Sequence, residues 1–193
     1  PSMTLAVDAK AKELRTKGIN VISFGAGEPD FDTPAKIKQA GIKAIEQNET
    51  HYTPVGGVEE LKQAIVDKFK RDNNLVYEKS QILVSCGAKH SLFNLAQVLW
   101  EEEDEIIVPA PYWVSYPDII RYAGARPVII DTLSENKFKI TPSQIELAVT
   151  PNTRAIIINS PSNPTGSAYS KKELEAVAEC ALRNKLLIVS DEI

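Results

Sequence analysis

Five short stretches carry residue types that could do chemistry. Asp191 closes the apolar run LLIVS, residues 186–190. A carboxylate there is costly unless something pairs with it. A structural partner would be a helix N-terminus or an arginine; a functional one would be a cationic ring nitrogen. Asn163 stands in NSPSNPTG, residues 159–166, and Pro164 follows it. Its side chain both donates and accepts, and a cis bond to Pro164 would mark a tight turn. CGAKH, residues 86–90, is a turn of small residues before a helix. Free amides and the helix dipole at such a place suit a phosphate, although a tight turn that simply needs Gly87 has the same look. PYW, residues 111–113, offers Trp113 either as a core or interface residue or as a flat face for a heteroaromatic ring. GAGEPD, residues 25–30, has two glycines of a dinucleotide fingerprint but Asp30 at the third place. It also lies in a loop and not at a helix start, which argues against dinucleotide binding.

The elements that must position these residues follow a rhythm. Leu5–Lys17 reads as a helix closed by Gly18, and NVISF (20–24) as a short strand. Thr33-Pro34 caps a helix running to about Asn48. Val58–Asn73 is amphipathic, with Leu61, Ile65 and Phe69 on one face. Then QILVS, EIIVP, RPVIID, RAIIIN and LLIVS read as strands, with helices between them. The helix in VSYPDIIRYAG is expected to be interrupted near Pro117. Thr141-Pro142 caps a short helix, and Ser170 with Glu173 forms a capping box for the helix through Arg183. Strands apolar throughout, alternating with helices, predict an α/β fold: a mostly parallel sheet with helices on both faces. CGAKH, PYW, NSPSNPTG and SDE each follow a strand, so they share the carboxyl edge where open α/β sheets bind ligands.

The totals exclude several classes. The chain has 193 residues, a net charge of −4 and interspersed acids and bases, which is no nucleic-acid surface. EEEDE (101–105) reads as a solvated turn. Cys86 and Cys180 form no CxxC pair or disulfide framework, and His51 and His90 make no metal-ligand spacing, so no metal is expected. No apolar stretch approaches the roughly 20 residues of a membrane span. The start of the chain lacks a signal peptide's apolar core, and a reducing cytoplasm is the simplest compartment. There is no Walker A pattern and no GxSxG.

A phosphate cradle, a stacking ring, an amide and a carboxylate for a ring nitrogen on one rim suggest one ligand, pyridoxal phosphate. Ligands that need only some of these parts are less economical. The chain also resembles the class I, fold-type I aminotransferases that use this cofactor, within them the bacterial aspartate aminotransferase branch. The markers are GAGEPDFDTP, THYTPVGG, PYWVSYP, NSPSNPTG and SDEI, in that order from end to end.

The resemblance implies roles. Asp191 would keep the pyridine nitrogen protonated, Trp113 would stack on the ring, and Asn163 would bond its phenolic oxygen and approach the substrate α-carboxylate. Gly27 would offer that carboxylate its backbone. Ala88 and Lys89 would give amides to the phosphate. Tyr52 would reach the phosphate of a neighbouring subunit's cofactor, implying a homodimer with shared sites. The Lys89 ammonium, with Ser2 and Thr4, would receive the distal carboxylate of an acidic substrate. Residues 1–35 would be an N-terminal segment of the small domain, and 36–193 the first part of the large cofactor-binding domain. The family's Schiff-base lysine, a tyrosine and two arginines would lie beyond residue 193, so the chain is expected to be an amino-terminal half. His90 stands where relatives usually carry glutamine. The implied reaction moves an amino group between aspartate or glutamate and a 2-oxo acid. The alternatives are an aromatic or prephenate specificity, or a non-catalytic fold or dimerisation module.

Overall fold

The computed structural model describes residues 3–25 and 27–193, with the side chains of residues 3–5 left aside. The chain divides into two compact units, Pro1–Thr53 and Pro54–Ile193. The first holds two helices, α1 (Met3–Thr16) and α2 (Ala35–Glu46). Gly18 ends α1 at φ +77°, a left-handed turn that glycine takes without strain. Pro34, not Thr33, occupies the cap position of α2, and no side chain caps it.

The second unit begins with α3 (Glu59–Asn73) and α4 (Ala88–Leu99), and then alternates. Its later elements are β1 (Glu105–Ala110), α5 (Ser115–Tyr122), β2 (Arg126–Asp131), α6 (Pro142–Ala148), β3 (Thr153–Asn159), α7 (Lys171–Arg183) and β4 (Leu187–Asp191). The sheet order is β2-β1-β3-β4, and every pair is parallel. The expected α/β architecture is present.

Alternation along the strands builds two cores. Ile106, Val108, Ala155 and Ile157 face Leu92 and Ala96 of α4 and Tyr116 and Ile120 of α5. Ile107, Ile156 and Ile158 face Ile145 of α6 and Val177, Cys180 and Ala181 of α7. Successive residues of a strand point to opposite faces, so a strand that is apolar throughout must be covered twice. The Thr141 cap of α6 and the capping box of α7 form as expected, and Gln144 completes a box at α6 as well. Gln144 N–H donates to Thr141 Oγ1 at 3.4 Å, and Glu173 N–H to Ser170 Oγ at 3.3 Å.

Four expectations need correction. Neither NVISF nor QILVS forms a strand: no strand lies alongside them among the described residues. Within QILVS, Val84 N–H reaches Gly56 O at 3.0 Å. A strand exists only through its ladder, which an apolar run cannot supply alone. Pro117 does not interrupt α5. It stands in the first turn, where its missing N–H has no acceptor to lose. The acidic run is not wholly solvated either. Asp104 and Glu105 are buried at 6 % and 4 % exposure. Arg154 Nε reaches Asp104 at 2.8 Å; Arg126 and Thr150 bond the Glu105 carboxylate. These ion pairs close the amino end of the sheet, opposite the strands' carboxyl ends. Finally, the capping expected of Thr33 fails, as described above.

Candidate active site

The chain leaves β1 through α5 to β2 on one side, while β3 and β4 lie on the other. The carboxyl ends of β1 and β3 therefore flank a switch point, the crevice that α/β sheets use for ligands. Trp113 follows the end of β1, Asn163 follows β3, and Asp191 ends β4.

Asp191 is held by its neighbours at both main chain and side chain. Its carbonyl accepts Asn159 Nδ2 at 2.8 Å and Ser160 N–H at 3.2 Å. Its carboxylate Oδ2 accepts the hydroxyl of Tyr116, which is 3 % exposed. The partner of this carboxylate is thus a phenol, not an arginine or a helix terminus. Burial first, and then the Asp191 carboxylate, push the Tyr116 phenol far above its usual range. It therefore stays protonated at neutral pH and donates. The Trp113 ring stands edge-to-face on the Tyr116 ring, with centroids 5.4 Å apart at 83°. Lys89 Nζ sits 4.9 Å from the Trp113 ring centroid, a cation–π contact. Lys89, Trp113, Tyr116 and Asp191 form one chain of contacts.

The loop NSPSNPTG is held by its own backbone and side-chain bonds. Asn163 N–H donates to Asn159 Oδ1 at 2.6 Å, and Gly166 N–H to Ser162 O at 2.7 Å. Gly166 takes φ +70°, and Asn163-Pro164 is cis as expected. The Asn163 side chain stays exposed and makes no hydrogen bond among the described residues. Its backbone is fixed and its amide is available.

Gly87 caps α4 at φ +85°, with open space where a Cβ would stand. Ala88 and Lys89 follow as the first residues of the helix, so their amides have no acceptor within it. His90 has a place after all: its Nδ1 accepts Cys86 N–H at 3.1 Å, tying the turn to the helix. A ligand phosphate would meet backbone donors, the helix dipole and the Lys89 cation here. A protonated ring nitrogen would meet the Asp191 oxygen that Tyr116 does not use. The residues present fit pyridoxal phosphate.

In the first unit, Gly27 and Tyr52 are exposed, and Gly27 has open space around a would-be Cβ. Ser2 and the Thr4 side chain lie outside the described residues. Sequence reasoning missed Tyr116 and Asn159. Tyr116 stands three residues after Trp113, a spacing that puts both on one side of a helical turn. Asn159 gave no such signal. A larger cavity, about 490 Å³, opens beside Lys139, Pro142 and Glu173. There Lys139 and Glu173 satisfy each other at 2.7 Å, and no aromatic ring lines it, so the rim is the better site.

The described residues hold no group of acids, histidines and cysteines able to bind a metal, and no helix long and apolar enough to cross a membrane. Residues 19–193 match the family Aminotransferase class I and II. The chain is 55 % identical over 193 residues to the aspartate aminotransferase of Bacillus subtilis (strain 168), covering all of this chain and 49 % of that one. It is 55 % identical over 195 residues to the aspartate/prephenate aminotransferase of Nitrosomonas europaea, again covering all of this chain and 49 % of the relative. The solved structure of the Thermus thermophilus aspartate aminotransferase with maleate superposes with a TM-score of 0.96 at 46 % identity, over 100 % of this chain and 50 % of that one. The chain thus spans about half the length of the curated relatives it matches. With its parallel sheet, its rim motifs and these likenesses, the chain belongs to the class I and II aminotransferases.

Proposed function

We propose that the chain supplies the cofactor-binding rim of a pyridoxal-phosphate-dependent aminotransferase that moves an amino group between aspartate or glutamate and a 2-oxo acid. The observation that carries this reading is the joined set Lys89–Trp113–Tyr116–Asp191 beside the free Asn163 amide. The names of these relatives support aspartate as substrate.

Bound here, the cofactor would supply a pyridinium that withdraws electrons from the substrate's α-carbon. The chain's own residues would do the rest. Asp191 holds the ring nitrogen's proton, and Trp113 covers one ring face. The amides of Ala88 and Lys89 bind the phosphate. Asn163 bonds the ring oxygen and orients the substrate α-carboxylate, with the Gly27 backbone as second donor. A wandering amide could not serve both, and positional precision of this kind is worth large factors in rate. Lys89, Ser2 and Thr4 would receive the distal carboxylate.

The reading includes a cytoplasmic homodimer in which Tyr52 reaches the partner's cofactor phosphate. Residues 1–35 would belong to the small domain and 36–193 to the large one. An aspartate/prephenate specificity is the second reading, favoured by the Nitrosomonas relative. The test uses the complete protein containing this chain, loaded with pyridoxal phosphate. Aspartate with 2-oxoglutarate should yield oxaloacetate in a coupled assay, and prephenate is offered as a second acceptor. Turnover of aromatic amino acids without turnover of aspartate would overturn the aspartate assignment. Cofactor binding without any turnover would leave a binding module.

A further inference from the structure

Asp191 lies at the rim with a carboxylate that no cation pairs among the described residues. Its side-chain partner is a neutral phenol, and the phenol is the most buried group of the site: Tyr116 is 3 % exposed. Tyr116 lies in the first turn of α5, and its ring packs among the apolar residues beneath β1 and β3. Its hydroxyl meets the Asp191 carboxylate and its ring meets the Trp113 ring.

We propose that Tyr116 is the positioning residue of the cofactor site, orienting Asp191 and Trp113 together. The proposal rests on the cofactor reading above. The chemistry favours a phenol over a cation for this task. An arginine would fix the carboxylate's rotamer but would neutralise it and repel a protonated ring nitrogen. A hydroxyl bonds one oxygen, leaves the charge in place and turns the second oxygen to the rim. The packing adds a second role. The Trp113 indole meets the Tyr116 ring edge-to-face, a geometry that aromatic pairs favour. The height of the stacking face and the reach of the carboxylate are therefore set by one side chain whose own position the core dictates.

The test measures pyridoxal phosphate affinity, not turnover, in the complete protein. Four forms are compared: wild type, Tyr116→Phe, Asp191→Ala and the double variant. Tyr116→Phe keeps the ring and its packing, so the variant is expected to fold, with melting of the cofactor-free protein as control. Loss of a hydroxyl bond to a carboxylate should weaken the affinity about tenfold. In the Asp191→Ala background the same change should do almost nothing, because its effect runs through the carboxylate. An equal loss in both backgrounds would overturn the proposal, and so would a wild-type affinity in Tyr116→Phe. In either case a large loss in Asp191→Ala leaves the cofactor reading standing. If Asp191→Ala binds as wild type does, the cofactor reading itself fails, and the proposal falls with it.

Discussion

Asn159 and Asp191 are register partners at the last rung of the β3–β4 ladder, and the Asn159 amide donates to the Asp191 carbonyl at 2.8 Å. The same amide's oxygen accepts the N–H of Asn163 at 2.6 Å. One half-buried side chain therefore fixes the two rim residues to which a ring-binding role is assigned. The division of labour is testable. Asn159→Ala removes both bonds, a loss of about 1–3 kcal/mol. Melting should fall by about 3–10 °C. Asn163→Ala touches only an exposed side chain and should shift melting by about 1 °C or less. Equal shifts measured by calorimetry would show that the Asn163 side chain has a structural role.

Asp191→Ala in the complete protein is expected to lower kcat at least a hundredfold, about 2.7 kcal/mol. Loss of a charge-assisted bond to the ring nitrogen accounts for a loss of that size. Single-turnover kinetics with aspartate is the measurement. A loss below about tenfold would remove Asp191 from the role.

Lys89 Nζ lies 4.9 Å from the Trp113 ring centroid, and its amide and its ammonium can act separately. A charge-assisted bond to a distal carboxylate is worth about 1.5–3 kcal/mol. Lys89→Ala should therefore lower kcat/KM for aspartate by roughly 10- to 150-fold, with a much smaller loss for an aromatic amino acid. Equal losses on both would assign the ammonium to the cofactor phosphate instead.

Away from the rim, Lys139 bonds the Glu173 carboxylate at 2.7 Å. This bond first, and then the Ser170 amide and hydroxyl, hold the Glu173 carboxyl at about 2 against its usual 4.5. A depressed folded-state value means stability that is complete above the unfolded value and is lost as pH falls. The window runs from pH 4.5 down to about 2. Urea midpoints followed across that range should fall less steeply in Lys139→Met than in wild type. Parallel curves would show that the pair contributes nothing to acid stability.

Much of this protein can be read locally. Runs of isoleucine and valine mark β1, β3 and β4 because branched side chains suit a pleated strand. Ser170 with Glu173, and Thr141 before Pro142, mark helix starts because each cap closes within four residues. Reading that order also put PYW, NSPSNPTG and SDE on one edge, since in a parallel sheet every strand's carboxyl end faces the same way. The family markers implied roles that residue types alone left open.

Tertiary structure decided what depends on distant partners. QILVS and NVISF look like strands but have no neighbour among the described residues to complete a ladder. Asp104 and Glu105 look solvated in EEEDE, yet arginines 50 and 21 residues onward draw them into the sheet's amino end. Tyr116 and Asp191 are 75 residues apart, and nothing in either segment announces the other. Local geometry follows from a few neighbouring dihedrals and caps, so the sequence declares it. Which phenol meets which carboxylate follows from how α5 packs across the β1–β3 core and where β4 ends, and those relations exist only once the chain has folded.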